Sequence, residues 1–479
     1  MSITAEKNGT AAALAGILLC VLAAGPPEAT GSEVATSTGT APAPAYKLFR
    51  YDEDYRYLKD TASRADSWDP IKYIPIDGTE SFVSLGGEVR ERFEDYTAAD
   101  FGVPGRSADS YLLHRVLVHA DLHLDEHARA FVQLASHRAF GKNSAAPPYS
   151  DRLDVQQAFF DWQFDGAGDS KVPFVRIGRQ EMAFGAQRLV AVRDAPNVRR
   201  AFDGIRFSGA VDQTRYDVFA TRPVLLQEGN FDDKSNSAQE FWGVYTTSPI
   251  SLIPDSAVDI YYLGFDNRRA VYAIGTGSEK RHSIGARVFG HAGKWDWDWE
   301  ALGQVGTFAQ KDIRAWGFAL DTGYTFPHAP WTTRGGFKIT VGSGNSDPNG
   351  ATLRSYGPLF PKIAYFNQAG LIGASNVIDL QPSLVFKPAP ALTVTAACDF
   401  IWRQTIRDAV FTSPGPPIPG TAGRHGRHSG NEPSLDVTWR ANRHVLINGG
   451  FVHVTVARVL ADLGGHDTDF LYLSAAYSY

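Results

Sequence analysis

From residue 81 onward, hydrophobic and polar side chains alternate along most of the chain. In GGEVRERFEDY, Gly87, Val89 and Phe93 take one face while Glu88, Arg90, Arg92 and Glu94 take the other. Val116, Val118, Ala120, Leu122 and Leu124 alternate with Arg115, Leu117, His119, Asp121 and His123. Trp295, Trp297, Trp299, Ala301 and Val305 alternate with Asp296, Asp298, Glu300 and Gln304. Leu392, Val394, Ala396, Cys398, Phe400 and Trp402 stand opposite Thr393, Thr395, Asp399 and Arg403. Successive side chains of a strand point to opposite sides of its sheet, so this period of two predicts amphipathic strands.

A soluble sandwich and a membrane barrel share that alternation, and three further features select the barrel. The strands run to about ten residues or more, beyond the usual five or six of soluble sheets. Several strand ends carry aromatics suited to the membrane interfaces, among them Phe160, Trp162, Phe164, Trp295, Trp297, Trp402 and Trp439. Every second connection is brief, as in DEH after residue 124, VD near 211, HAG near 291, KPAP near 387 and AN near 441. DGAGDS near 165 belongs to the same set, while the intervening connections are mostly much longer, above all 344–376 and 405–431. Short turns at one rim and long loops at the other predict an all-β transmembrane antiparallel barrel of about 18 strands, periplasmic at the short rim. Its expected spans include 81–96, 172–180, 201–210, 256–266, 280–291, 331–343 and 432–441.

The start of the chain divides into four parts. Lys7 precedes an apolar run from Ala11 to Ala24, followed by Gly25-Pro26-Pro27. That is the pattern of a secretory signal peptide over 1–24, with a run of about 14 residues, too short to span a bilayer. Residues 25–45 are small, polar and proline-containing, and read as a disordered leader. Residues 46–80 carry mixed charge and aromatics and read as a periplasmic lead-in that packs against or into a barrel covering 81–479. Cleavage leaves Cys398 as the sole cysteine, so no internal disulfide can hold the chain. No run of 18 apolar residues follows residue 25, which excludes helical spans. A net charge of -6 argues against nucleic acid as a partner. The final FLYLSAAYSY ends on an aromatic residue and resembles the strand by which outer-membrane proteins are recognised by the barrel-assembly machinery.

A barrel of this width can hold an aqueous channel. The densest charge lies in 176–206, where Arg176, Arg179, Arg188, Arg193, Arg199, Arg200 and Arg206 meet Glu181, Asp194 and Asp203. Folded inward, the middle of this segment would form a constriction of guanidiniums, which stay charged and bind carboxylates or phosphates at two points. The same arginines could equally brace the loop against the wall through these acids and through Glu88, Asp121 and Asp161. Arg179 shares the outward parity of Val175 and Ile177, so it is expected past a bulge or above the membrane.

GRQEMAFGAQRLVAVRDAPNVRRAFDGIRF resembles the central signature of the alginate-export family of outer-membrane barrels, in its porin-like branch. DPIKYIPI followed by LGGEVRERFE is similar to that family's first strand, and YGPLFPK and IWRQTIRDAVF are also similar. The resemblance covers most of residues 68–479. It implies an 18-stranded barrel with an electropositive conduit for a polyuronate, and it implies selectivity roles for Arg90, Arg92, Arg188, Arg193, Arg199, Arg200 and Arg206. Arg176 joins them by its lumenal parity.

The expectation is therefore a passive, anion-preferring channel of the bacterial outer membrane for sugar acids or polyuronate, with uptake of small organic anions as the alternative and a loop-presenting receptor or adhesin behind it. Its partners would be outer-membrane lipid, the anionic solute, the assembly machinery and, for export, periplasmic proteins. An enzyme is not expected. His114, His119, His123, His127 and His137 fall on both faces of strands, and metal-binding histidines of such spacing belong to helices. No cofactor or metal is called for.

Overall fold

The computed structural model describes residues 44–76, 78–103, 107–165, 173–413 and 415–479. The expected signal peptide and nearly all of the leader lie outside the described residues, as does most of the turn near 165.

Eighteen long antiparallel strands form a closed barrel. They are β1 (Phe82–Tyr96), β2 (Asp109–His123), β3 (Ala128–Phe140), β4 (Asp151–Gln163), β5 (Phe174–Gln180), β6 (Phe202–Val211), β7 (Thr214–Leu225), β8 (Gln239–Pro249) and β9 (Ser256–Tyr272). There follow β10 (Gly275–Ala292), β11 (Trp295–Phe308), β12 (Lys311–Thr325), β13 (Arg334–Gly342), β14 (Val377–Ala389), β15 (Leu392–Arg403), β16 (His428–Arg440), β17 (Val445–Val456) and β18 (Thr468–Ser478). Each pairs with its neighbours in sequence, and β18 returns to β1 through a register running from Glu88–Ser478 to Tyr96–Phe470. Closure leaves no sheet edge facing lipid, which a bilayer requires of any spanning sheet.

Three expected boundaries move. β9 and β10 continue to a two-residue connection at 273–274, because their ladder resumes after a bulge between Asn267 and Ala270 that hides the alternation in sequence. β16 starts at His428, inside a Gly- and Pro-containing stretch read as loop, because pairing with Trp402 extends the ladder there. The outer connection 273–274 is consequently as short as the periplasmic turns, as is 309–310, which the expected strands already leave brief.

The two faces of the wall separate as the alternation requires. Ile177, Ile205, Ile260, Ile284, Val305 and Leu435 point outward and are exposed, forming the surface that lipid covers. In the outer half of the barrel many inward positions are buried by the loops. Phe219, Phe241, Tyr245, Tyr261 and Phe265 of the wall pack with Met182, Leu189, Val190, Phe360, Ile372, Val410 and Leu460 of the outer loops. The hydrophobic core of this protein therefore lies inside the outer half of its barrel.

The periplasmic mouth is occupied by the lead-in. Arg50 donates to the carbonyls of Gly87 (3.0 Å) and Tyr479 (2.9 Å), joining the segment to both strands at the barrel's closure. Tyr51 packs edge-on against Phe131 and Phe159 inside the wall, and its hydroxyl donates to the carbonyl of Glu181 at 3.0 Å. Of the two options left open by the sequence, packing against the barrel or into it, the structure takes the second.

Candidate functional site

The loop joining β5 and β6, residues 181–201, crosses the lumen. On one side it is held by β1 and β2. Arg90 donates to Asp194 Oδ2 (3.1 Å) and to the carbonyls of Asp194 (3.0 Å) and Pro196 (2.9 Å). Arg115 donates to Asp194 Oδ1 (2.8 Å), Glu88 Oε1 (3.1 Å) and the Asn197 carbonyl (3.1 Å). On the other side, Arg188 donates to Asp298 Oδ1 and Glu300 Oε2 on β11, both at 2.9 Å. The loop of 343–376 lies along it, with Ala191 N–H donating to the Phe360 carbonyl (2.9 Å) and Phe360 N–H to the Leu189 carbonyl (2.8 Å).

The arginines named from sequence divide by partner. Arg92 pairs with Glu94 and lies over the Tyr472 ring at 4.3 Å. Arg176 pairs with Asp161 at 2.7 Å and sits 3.7 Å over the Phe159 ring. Arg206 pairs with Asp217 at 2.6 Å, and Arg199 with the fully buried Glu181 at 2.8 Å. With Arg90 and Arg188, six of the named residues thus have carboxylate partners. Among the described residues, Arg193 and Arg200 make no ion pair. Arg193 donates to the Val198 carbonyl (3.1 Å), and Arg200 reaches the carbonyls of Ala191 and Pro361 and lies over the Phe360 ring at 5.1 Å. Arg179 keeps its outward parity at the extracellular end of β5 and binds Asp203 at 2.8 Å. Just before it, Gly178 adopts a φ of 132°, where a Cβ would stand 2.3 Å from the Ala158 carbonyl oxygen.

The fields inside the loop follow these pairings. Burial pushes the Asp194 carboxyl up, but Arg115, Arg90 and Arg199 outweigh it and hold the group far below the ordinary carboxylate range. Burial brings Arg193 down to about 10. Arg200 falls well below its usual value through burial and the neighbouring Arg193.

Two cavities flank the stretch 194–196 of the loop. The inner one, about 340 Å³, is lined by Arg50, Arg90, Arg92, Arg115, Arg199, Arg440 and Arg443 against Glu88 and Asp194. The outer one, about 690 Å³, is lined by Glu94, Tyr96, Tyr111, Tyr149 and Pro196 together with residues of the 343–376 loop. Lys142 stands there over the rings of Tyr111 (3.7 Å) and Tyr149 (4.1 Å). The inner cavity gathers Arg90, Arg92 and Arg199 of the expected set. It leaves out Arg176, Arg188, Arg193, Arg200 and Arg206, which stand at other points of the lumen.

Sequence reasoning missed Arg115, Arg440 and Arg443 as members, and Arg50 of the lead-in with them. Arg115 and Arg440 carry lumenal parity, opposite Val116 and Trp439, which was the available signal. Arg443 sits in a periplasmic turn, where no periodicity exists to read. Arg440 is exposed to the cavity and its side chain has no partner among the described residues. The histidines do not converge. His114 binds Glu91, His119 stacks on Phe131 and His123 on Phe82.

A closed barrel of eighteen strands, lipid-facing outside and crossed by a charged loop within, defines a passive channel of the bacterial outer membrane. The family model described as alginate export matches residues 81–472, and the chain belongs to that family, whose members are channel proteins rather than enzymes. A comparison with curated proteins finds no match. Among solved structures the chain is similar to OpdO from Pseudomonas aeruginosa, with a TM-score of 0.54 and 11% identity over 83% of this chain and 97% of that one. It is similar also to a BenF-like porin from Pseudomonas fluorescens Pf-5, with a TM-score of 0.54 and 9% identity over 83% of this chain and 99% of that one. OccAB4 from Acinetobacter baumannii gives a TM-score of 0.53 and 10% identity over 84% and 99%. At these identities the likeness is one of fold.

Proposed function

We propose that this channel prefers anions and passes sugar acids or uronate oligomers, with Arg90, Arg92, Arg115, Arg199, Arg440 and Arg443 as the lumenal surface they meet. The observation that carries the reading is the inner cavity, where seven guanidiniums, Arg50 of the lead-in among them, face two carboxylates. Six of the seven are paired, Arg50 with Glu53, Arg90 and Arg115 with Asp194, Arg92 with Glu94, Arg199 with Glu181 and Arg443 with Asp66, and among the described residues Arg440 is the uncommitted one. A low-dielectric wall strengthens the field of such a cluster, which raises the local concentration of anions and repels cations. Carboxylates spaced along a uronate chain suit guanidiniums spaced along a passage, because each can be held at two points. Small organic anions satisfy the same chemistry and form the second reading. In this reading Arg188, Arg193 and Arg200 brace the crossing loop, while Arg176 and Arg206 tie neighbouring wall strands through Asp161 and Asp217. Delivery by a signal peptide over 1–24, assembly by the barrel machinery and, for export, a periplasmic partner at the mouth belong to the same proposal.

The test is the reversal potential of single channels under a KCl gradient, for the wild type and for Arg440→Glu. Arg440 is chosen because its side chain braces nothing, whereas Arg199 and Arg200 are each built into the loop. The wild type should favour chloride, and the variant should lose or invert that preference while folding normally. Oligouronates should block the wild type at lower concentration than the variant. A cation-preferring wild type, or a selectivity indifferent to residue 440, overturns the proposal.

A further inference from the structure

Four aspartates crowd the extracellular end of β4. Asp151 and Asp154 open the strand, and Asp232 and Asp233 come from the loop of 226–238 that joins β7 to β8. One carboxylate oxygen each from Asp154, Asp232 and Asp233 lies within 4.8 Å of the other two. The loop is seated there by its backbone. Phe231 N–H donates to the Leu153 carbonyl at 2.9 Å, and Asp154 Oδ2 accepts from the N–H groups of Asp232 (2.8 Å) and Asp233 (3.0 Å).

Cationic compensation falls short. Among the described residues, the only ion pair made by any of the four is that between Asp154 and Arg179, at 3.6 Å. Asp232 Oδ1 is buried with no hydrogen-bond partner. Asp151, only 2% exposed, lies within the field of the other three carboxylates and also has an unpartnered oxygen, Oδ1. Buried carboxylate oxygens without donors are costly, and the cost grows when the neighbours bear like charge. A divalent cation removes both penalties together. Calcium takes six to eight oxygens at about 2.3–2.6 Å in adaptable geometry, so oxygens on one ion stand up to about 5 Å apart, as these do. Magnesium demands a near-ideal octahedron of oxygens at about 2.0–2.1 Å and is suited less well by three side chains on a loop and a strand end.

We propose that Asp154, Asp232 and Asp233, with Asp151 beside them, form a calcium site that clips the 226–238 loop to the extracellular end of β4. The site lies on the outer rim, where it meets the external medium, and the loop it secures also touches the wall through Ser235 and Asp203. Calcium therefore sets the order of this loop without entering the solute passage.

The experiment is calorimetric titration of calcium chloride into the full-length barrel refolded in detergent, free of lipopolysaccharide, beside Asp233→Asn, Asp151→Asn and Asp125→Asn. Folding of each is checked by its heat-dependent migration. The wild type should bind one calcium ion per chain. Asp233→Asn should weaken binding about tenfold or more, because ligand charge sets calcium affinity, and Asp151→Asn should weaken it less. Asp125→Asn, in a periplasmic turn, should match the wild type. Calcium should also slow proteolysis within 226–238 in the wild type and not in Asp233→Asn. Absence of calcium binding, or equal affinity in wild type and Asp233→Asn, overturns the proposal, as does magnesium binding as tightly as calcium.

Discussion

Guanidiniums in this lumen fall into two chemical situations, and both occur within the adjacent residues Arg199 and Arg200. Arg199 is held by the buried Glu181, whereas Arg200 rests on carbonyl oxygens and an aromatic ring. Removing one partner of a buried pair strands the other charge in a poor dielectric. Glu181→Leu should therefore destabilise the barrel by about 3–5 kcal/mol, read as a lowered urea midpoint. Parity along the strands was enough to send Arg90, Arg92, Arg176 and Arg206 inward, and to name Asp161 among the lumenal acids open to an arginine, though not that its partner is Arg176. It could not say that Arg188 crosses to Asp298 and Glu300, because a loop has no period and its partners stand more than a hundred residues away in the chain.

Strands and loops answer to different solvents. The outward face must suit lipid, so Ile260 on β9, exposed and apolar, is replaceable only by apolar residues. Ile260→Arg should cost about 2–4 kcal/mol if it lies near the bilayer midplane, measured by unfolding of the refolded barrel in lipid. The loops face inward and form a core of their own. Phe360 is 6% exposed and packs against Phe202, Phe241 and Phe265 at ring separations of 5.2, 4.9 and 5.2 Å. Its backbone also pairs with the crossing loop. Phe360→Ala should cost about 3–5 kcal/mol and loosen that loop, seen as added noise and brief openings in single-channel records. The strands were legible because alternation is a local property of a two-faced wall. The extensions of β9, β10 and β16 were not, because bulges and glycines interrupt the alternation without interrupting the ladder.

At the scale of the whole molecule, the passage is narrowed from below by residues 46–72 and crossed from within by 181–201. Leu48 accepts a hydrogen bond from Arg199 at 3.1 Å, so the lead-in touches the crossing loop directly. Deleting residues 46–72 should raise single-channel conductance while leaving the barrel folded, since the strands close without them. Docking of this segment should also depend on pH. Lys72 is fully buried and donates to the Leu85 carbonyl at 2.9 Å; burial, helped by Arg50, lowers its pKa to about 7. The undocked segment holds that proton up to the ordinary lysine value of about 10.5. Docking is therefore weakest below pH 7 and strengthens as pH rises from about 7 towards 10.5. The rate of proteolysis within 46–72, normalised to the denatured chain, should be lower at pH 9 than at pH 6, and Lys72→Met should remove that difference.

The sequence by itself determined the wall. A period of two, strand length and the contrast of short and long connections specify a closed barrel, because a bilayer admits few other ways to satisfy the backbone. It also determined which strand arginines face the lumen. Only the tertiary structure decided what fills that lumen: the lead-in drawn into the mouth, the loop of 181–201 spanning from β1 and β2 to β11, and the meeting of Arg90, Arg92, Arg115, Arg199, Arg440 and Arg443 around one cavity. Those arrangements rest on contacts between residues far apart in the chain, chosen by charge pairing and packing in three dimensions, and such contacts leave no periodic trace along one.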